Sequence, residues 1–171
     1  MNSSEDKEFA YGSGHLNPIE AVNPGLVYEL SRDDYVEMLC NIGYNTSKLR
    51  KITGDNSTCG VSPDRSLVRD LNYPALTIRV HPLQPFKVSF RRTVTNVGSA
   101  NSTYEADIVP SSKVIITIIP HILSFKSLKE KQSFVVTIIG EKMLVKSIVS
   151  SSLIWTDETH HVRSPIIIDV N

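Results

Sequence analysis

The sequence predicts a mainly β chain: a seven-stranded, two-sheet sandwich preceded by a short segment of helices and loops. Three observations predict it. Up to about residue 65 the apolar residues fall at helical spacing, in short pieces broken by turn residues. After residue 70 the spacing switches to every second residue. About seven such runs fall within about a hundred residues, a density typical of sandwiches.

The elements follow in order. Pro18-Ile19-Glu20-Ala21-Val22 forms a short helix that Asn23-Pro24-Gly25 stops, because proline cannot continue a helix. Ser31 is an N-cap, with Asp33 and Asp34 in the first turn where the helix dipole favours acids. Tyr35, Leu39 and Ile42 then share one face, with Val36 and Cys40 one step round, and Gly43 closes the helix. A further helix follows Asn45 or Thr46 and ends at Gly54. Residues 55–66, rich in Asp, Ser, Gly and Pro, read as a linker or surface loop.

Strands begin with Leu76 to Val80. Val88, Phe90 and Val94 alternate with polar residues, although Arg92 breaks the apolar face. Tyr104, Ala106 and Ile108 alternate with Glu105 and Asp107. Val114 to Ile119 and Phe134 to Ile139 are apolar on both faces, which predicts central strands covered on both sides. Ile148 to Trp155 and Val162 to Val170 form a final hairpin around Thr156-Asp157-Glu158-Thr159-His160. The set reads as an immunoglobulin-like or fibronectin III-like sandwich over residues 66–171, with residues 1–65 as a separate part. That first part has amphipathic turns and no second layer of its own, so it must pack on the sandwich, on another chain or on other sequence.

The 171 residues carry 18 basic and 18 acidic side chains, which gives no reason to expect nucleic acid or an anionic membrane as partner. No apolar run approaches the roughly 20 residues that span a bilayer. Residues 1–8 are polar and acidic and lack the apolar stretch of a signal peptide. The two cysteines, Cys40 and Cys59, fit no zinc spacing; they read as a disulfide or as two free thiols. Glycosylation sequons occur at Asn2, Asn45, Asn56 and Asn101, the last three in turn-like surroundings.

Candidate chemistry is thin. Ser13 between Gly12 and Gly14 is not a Gly-x-Ser-x-Gly elbow, and a structural role is the better reading. His160-His161 is a poor metal pair because adjacent strand residues point to opposite faces. His15, His81 and His121 read as loop residues, and Asp33-Asp34 and Asp157-Glu158 as capping and turn acids. Nothing forms a phosphate loop or dinucleotide fingerprint, so no cofactor, no metal and no catalytic residue is assigned.

Several motifs carry a resemblance in register. They are Tyr11-Gly12-Ser13-Gly14-His15-Leu16-Asn17-Pro18, Asn23-Pro24-Gly25-Leu26-Val27-Tyr28, Asp70-Leu71-Asn72-Tyr73-Pro74, Arg92-Thr93-Val94-Thr95-Asn96-Val97-Gly98 and Leu153-Ile154-Trp155-Thr156-Asp157. The chain resembles the C-terminal part of plant subtilisin-like serine proteases, the cucumisin-like subtilases. That resemblance implies that residues 1–65 are the tail of a subtilisin-type α/β catalytic domain, joined to a fibronectin III-like sandwich. It implies a Cys40–Cys59 disulfide, an extracellular, glycosylated setting, and a subtilisin-like catalytic domain as partner, with homodimer contacts also in view. The family's Asp-Thr/Ser-Gly, His-Gly-Thr and Gly-Thr-Ser-Met motifs do not occur here. The implied role is therefore support for a serine endopeptidase rather than catalysis. Lys113 stands where the family usually has glycine, and a positive φ there would cost on the order of 1 kcal/mol.

Overall fold

The computed structural model describes residue 8, residues 12–60 and residues 63–171. The N-terminal segment holds helices α1 (Pro18–Val22), α2 (Arg32–Asn41) and α3 (Thr46–Thr53), with strand β1 (Leu26–Val27) between the first two. A 3-10 helix, Arg65–Asp70, then ends what the composition reads as a loop. The strands that follow are β2 (Leu76–Val80), β3 (Phe86–Asn96), β4 (Ser102–Val109), β5 (Val114–Ile119), β6 (Ile122–Phe125), β7 (Lys131–Gly140), β8 (Ser147–Thr156) and β9 (His161–Val170). The seven expected strands are present, and β1 and β6 join them as short additions.

Two sheets face each other. One has the order β1-β3-β7-β5, the other β2-β9-β8-β4-β6. All pairings are antiparallel except β2 with β9, which run parallel from Leu76↔Ile166 to Val80↔Val170. The period-two pattern sets the inner faces. Phe90, Val94, Phe134 and Ile138 from one sheet meet Tyr104, Leu123, Leu153, Trp155 and Ile166 from the other. Phe134 and Trp155 pack edge to face, with ring centroids 5.0 Å apart.

The helices start and stop where their residues require. Ser31 accepts from the Asp34 N–H while Asp34 accepts from the Ser31 N–H, a reciprocal cap on α2. The Asn45 carboxamide oxygen accepts from the Lys48 N–H (2.9 Å), and Gly54 ends α3 in the left-handed conformation at φ 70°.

One strand is placed differently from the sequence expectation. Val114 to Ile119, expected to be central and doubly covered, is the outermost strand of its sheet. Val114, Ile116 and Ile118 pack toward the core, while Ile115 and Ile119 are 64% and 72% exposed. Its apolar composition reflects β-branched residues chosen for a strand, not two buried faces. Lys113 is not among the positive-φ residues, so no left-handed strain arises there.

Candidate functional site at the seam between the N-terminal segment and the sandwich

The chemistry-bearing side chains gather where the N-terminal segment meets the sandwich. The seam begins along the free edge of β3. Leu26 pairs with Asn96 and Val27 with Thr95, so β1 extends the sheet. Just before it, the Gly25 carbonyl accepts from both the Val97 N–H (2.9 Å) and the Gly98 N–H (3.0 Å). Leu26 is buried in the sandwich core itself.

Side chains complete the edge beyond β1. The Asn72 carboxamide accepts from the Thr93 N–H (2.8 Å) and donates to the carbonyls of Thr93 (2.8 Å) and Glu29 (3.0 Å). The Asp70 carboxylate accepts from the Arg91 N–H (2.9 Å). Asn72 and Asp70 thus supply the groups that a neighbouring strand would otherwise offer. Glu29 accepts from the Thr95 hydroxyl (2.8 Å) and pairs with Lys131 (2.7 Å), and these contacts hold its carboxyl below the usual range. The Tyr28 phenol, pushed up by burial, meets the Ser164 hydroxyl at 2.8 Å.

Arg92, the apparent break in the apolar face, is 3% exposed. Its guanidinium donates to the carbonyls of Tyr73 (2.8 Å), Arg69 (2.9 Å) and Arg91 (2.8 Å), and more distantly to Ala75 (3.4 Å). It also lies over the Phe90 ring at 5.5 Å. A fixed fork of five donors suits a cluster of main-chain acceptors better than any other side chain. Burial lowers its pKa, but it stays charged because arginine starts so high.

A second cluster holds the end of the seam. His160 is buried, and its Nδ1 lies 2.9 Å from Asp157 Oδ2 and 3.4 Å from the Tyr104 hydroxyl. An ionised carboxylate only accepts, so Nδ1 carries the proton and donates to Asp157. Burial works to raise the Asp157 carboxyl, but donation from the His160 ring, from the Thr159 and His160 N–H groups and from Tyr104 outweighs it. The carboxyl is held far below the ordinary range. Tyr104 is pushed well above the ordinary phenol value, first by burial and then by the Asp157 charge. His160 Nε2 has no hydrogen-bond partner among the described residues.

Thr159, His160 and Asp157 are three residue types of a hydrolase triad, and their geometry excludes that chemistry. The Thr159 hydroxyl (2.9 Å) and the carboxylate both approach Nδ1. A triad base needs its nucleophile and its orienting acid on opposite ring nitrogens. Two glycines explain what the cluster does instead. A β-carbon at Gly25 would come 2.7 Å from His160 Cγ and 2.8 Å from the Tyr104 hydroxyl oxygen. One at Gly98 would come 3.1 Å from the same oxygen. Backbone lies directly on the ring pair, and the cluster is a clamp.

The remaining sequence candidates lie apart from the clamp. Cys40 and Cys59 are joined by a disulfide, with Cα atoms 5.4 Å apart, tying α2 to the loop after α3. Asn45, Asn56 and Asn101 are exposed, and Asn101 sits in a left-handed turn at φ 57°. Asn2 lies outside the described residues. Ser13 is exposed, and its carbonyl accepts from Arg163 at 3.2 Å. Among the described residues no group of His, Cys, Asp and Glu is placed to hold a metal ion. Sequence reasoning missed Asp70, Asn72, Arg92 and His160 as seam residues. The glycines of Asn-Pro-Gly and Asn-Val-Gly were the available signal, since each marks a close backbone approach.

Comparison with known proteins fits this arrangement. The fibronectin type-III family model matches residues 70–168. The chain belongs to the fibronectin type-III domain family. Around that domain the likeness extends into the N-terminal segment. The chain is 52% identical over 163 residues to the subtilisin-like protease SBT4.4 of Arabidopsis thaliana, covering 94% of this chain and 22% of that protein. Identity is 50% over 166 residues to SBT4.6 (97% and 22%) and 50% over 168 residues to SBT4.3 (98% and 23%), both subtilisin-like proteases of the same plant. The region matched is their C-terminal part, so the chain spans between a fifth and a quarter of the length of these relatives. In them the fibronectin type-III domain is part of a larger chain with a catalytic domain.

Proposed function

We propose that this chain is the non-catalytic C-terminal portion of a secreted subtilisin-like serine endopeptidase, with a boundary near residue 66. Residues 1–65 are the tail of the catalytic domain, and the sandwich buttresses that domain through the seam. One observation carries the reading. The N-terminal segment is bonded into the sandwich along β3 and at His160, yet it exposes Leu16, Ile19 and Val22 at 86%, 82% and 86%. Tyr35, Ile42 and Ile52 are also exposed, so two faces of the segment are used differently. One face is satisfied by the sandwich; the other is an apolar surface fitted to further protein.

Alone, the chain hydrolyses no peptide bond. The disulfide and the exposed sequons at Asn45, Asn56 and Asn101 support an oxidising, extracellular setting. An immunoblot of secreted plant material, with an antibody to residues 162–171, tests the assignment. A band several times heavier than 19.0 kDa is expected. A native band near that mass would favour a stand-alone extracellular binding module.

A further inference from the structure

The edge strand β5 has a property that the protease assignment does not use. Ile115-Ile116-Thr117-Ile118-Ile119 reads the same in both directions about Thr117. The strand has no charge and no proline within Val114–Ile119, and it is the outermost strand of its sheet. Among the described residues, one row of its N–H and C=O groups therefore faces outward without a sheet partner, a template for another strand.

Other sheet edges are guarded. The opposite edge of the same sheet is closed by β1, Asn72 and Asp70. In the second sheet, β2 carries Arg79 paired with Asp169. The β6 edge is only four residues long, and its Ser124 carbonyl accepts from the Gln132 side chain. The outer face agrees with the edge. Toward β3 it is hydroxylic, with Ser89 bonded to Thr137 and Thr93 to Ser133. Toward β5 it is aliphatic, where Ile115 stands beside Ile139 and Ile119 beside Val135.

We propose that β5 pairs antiparallel with β5 of a second copy of this chain, about a two-fold axis through Thr117. In that register Thr117 meets Thr117, and Ile115 meets Ile119 of the other copy. Ile116 likewise meets Ile118, so every pair from residue 115 to residue 119 is like with like, and Val114 meets Pro120 only at the end of the ladder. Inner and outer faces stay matched across the axis, because each pair joins residues of the same alternation. No charge opposes a like charge along the strand. The interface is isologous, and the palindrome is what makes a second copy the fitting occupant.

The experiment measures the association of the full 171-residue chain by sedimentation, with T117C, S89C and I115K/I119K variants. Cys40 and Cys59 are already paired, so an introduced cysteine is the only free thiol. A dimer of twice 19.0 kDa is expected, with T117C crosslinking it under mild oxidation and S89C failing to do so. I115K/I119K, which alters only exposed side chains, should sediment as a folded monomer by circular dichroism. A monomeric wild type, a dimer surviving I115K/I119K, or crosslinking equal for S89C and T117C would overturn the pairing. Should the double variant not fold, T117C against S89C decides alone. Association, not hydrolysis, is read, so failure here leaves the protease assignment untouched.

Discussion

Gly25 packs against the imidazole of His160, so closely that a β-carbon at residue 25 would sit 2.7 Å from the ring. The glycine belongs to the N-terminal segment and the histidine to the last hairpin, and the contact leaves room for no side chain.

Substitution at that contact should therefore be severe. Gly25 also has φ 74°, so Gly25→Ala adds left-handed strain to a steric clash, together about 2–5 kcal/mol. Gly54 has a similar φ of 70° with nothing near it, so Gly54→Ala should cost only about 1 kcal/mol. Urea denaturation of both variants separates clash from strain. Equal losses would mean that the packing against His160 contributes nothing.

Arg92 is expected to tolerate no replacement. Arg92→Lys keeps a charge but loses the fork, leaving carbonyls of Arg69 and Tyr73 without donors. A loss on the order of 3 kcal/mol follows from orphaned buried acceptors. Chemical denaturation followed by the fluorescence of Trp155, the chain's one tryptophan, measures it. A loss below about 0.5 kcal/mol, the size of an ordinary surface substitution, would show that the carbonyls find other donors.

The Asp157 carboxyl gives the clamp a stability that depends on pH, strong at neutral pH and lost in acid. Its folded pKa lies below its unfolded value, so its contribution is complete above the ordinary carboxylate range of about 4. As pH falls below that, the contribution declines and vanishes only once pH passes the depressed folded value. Asp157→Asn should cost about 1.5–3 kcal/mol at neutral pH, and the gap to wild type should shrink below about pH 4. Denaturation curves across that range check the sign; a gap that widens in acid would refute it.

Loss of the disulfide should act locally. Cys40→Ser with Cys59→Ser removes a constraint worth about 3 kcal/mol on the chain-entropy argument. The α2–α3 unit should then exchange amide hydrogens faster, while the Trp155 transition of the sandwich stays in place. A shift of that transition would show that the two parts unfold as one.

Much of the fold was legible because its signals are local. Pro18 and Asn23-Pro24-Gly25 bracket α1, Asn45 and Gly54 bracket α3, alternation marks β3 and β4, and two apolar runs around a polar turn mark the β8–β9 hairpin. The misplacement of β5 has a clear cause. Apolar composition reports β-branched residues, whereas edge or centre is decided by which strand arrives as neighbour. The seam was hidden for a related reason. Arg92 binds carbonyls and Asp70 and Asn72 bind β3 backbone, and main-chain partners leave no mark in a sequence. His160 looked like a turn residue because its partners Gly25, Gly98 and Tyr104 are all distant along the chain.

The parallel pairing of β2 with β9 sets a timetable for the nascent chain. The first full strand of the sandwich, Leu76–Val80, waits for Ile166–Val170, some ninety residues later, before its ladder can form. His160, which receives Gly25, is made almost as late. Such long separations slow folding, because the loop must close before the contacts reward it. A ribosome that stops before His160 would release both the opening strand and the Gly25 turn without these partners. Residues 160–170 act as the latch for the opening strand and for the Gly25 turn.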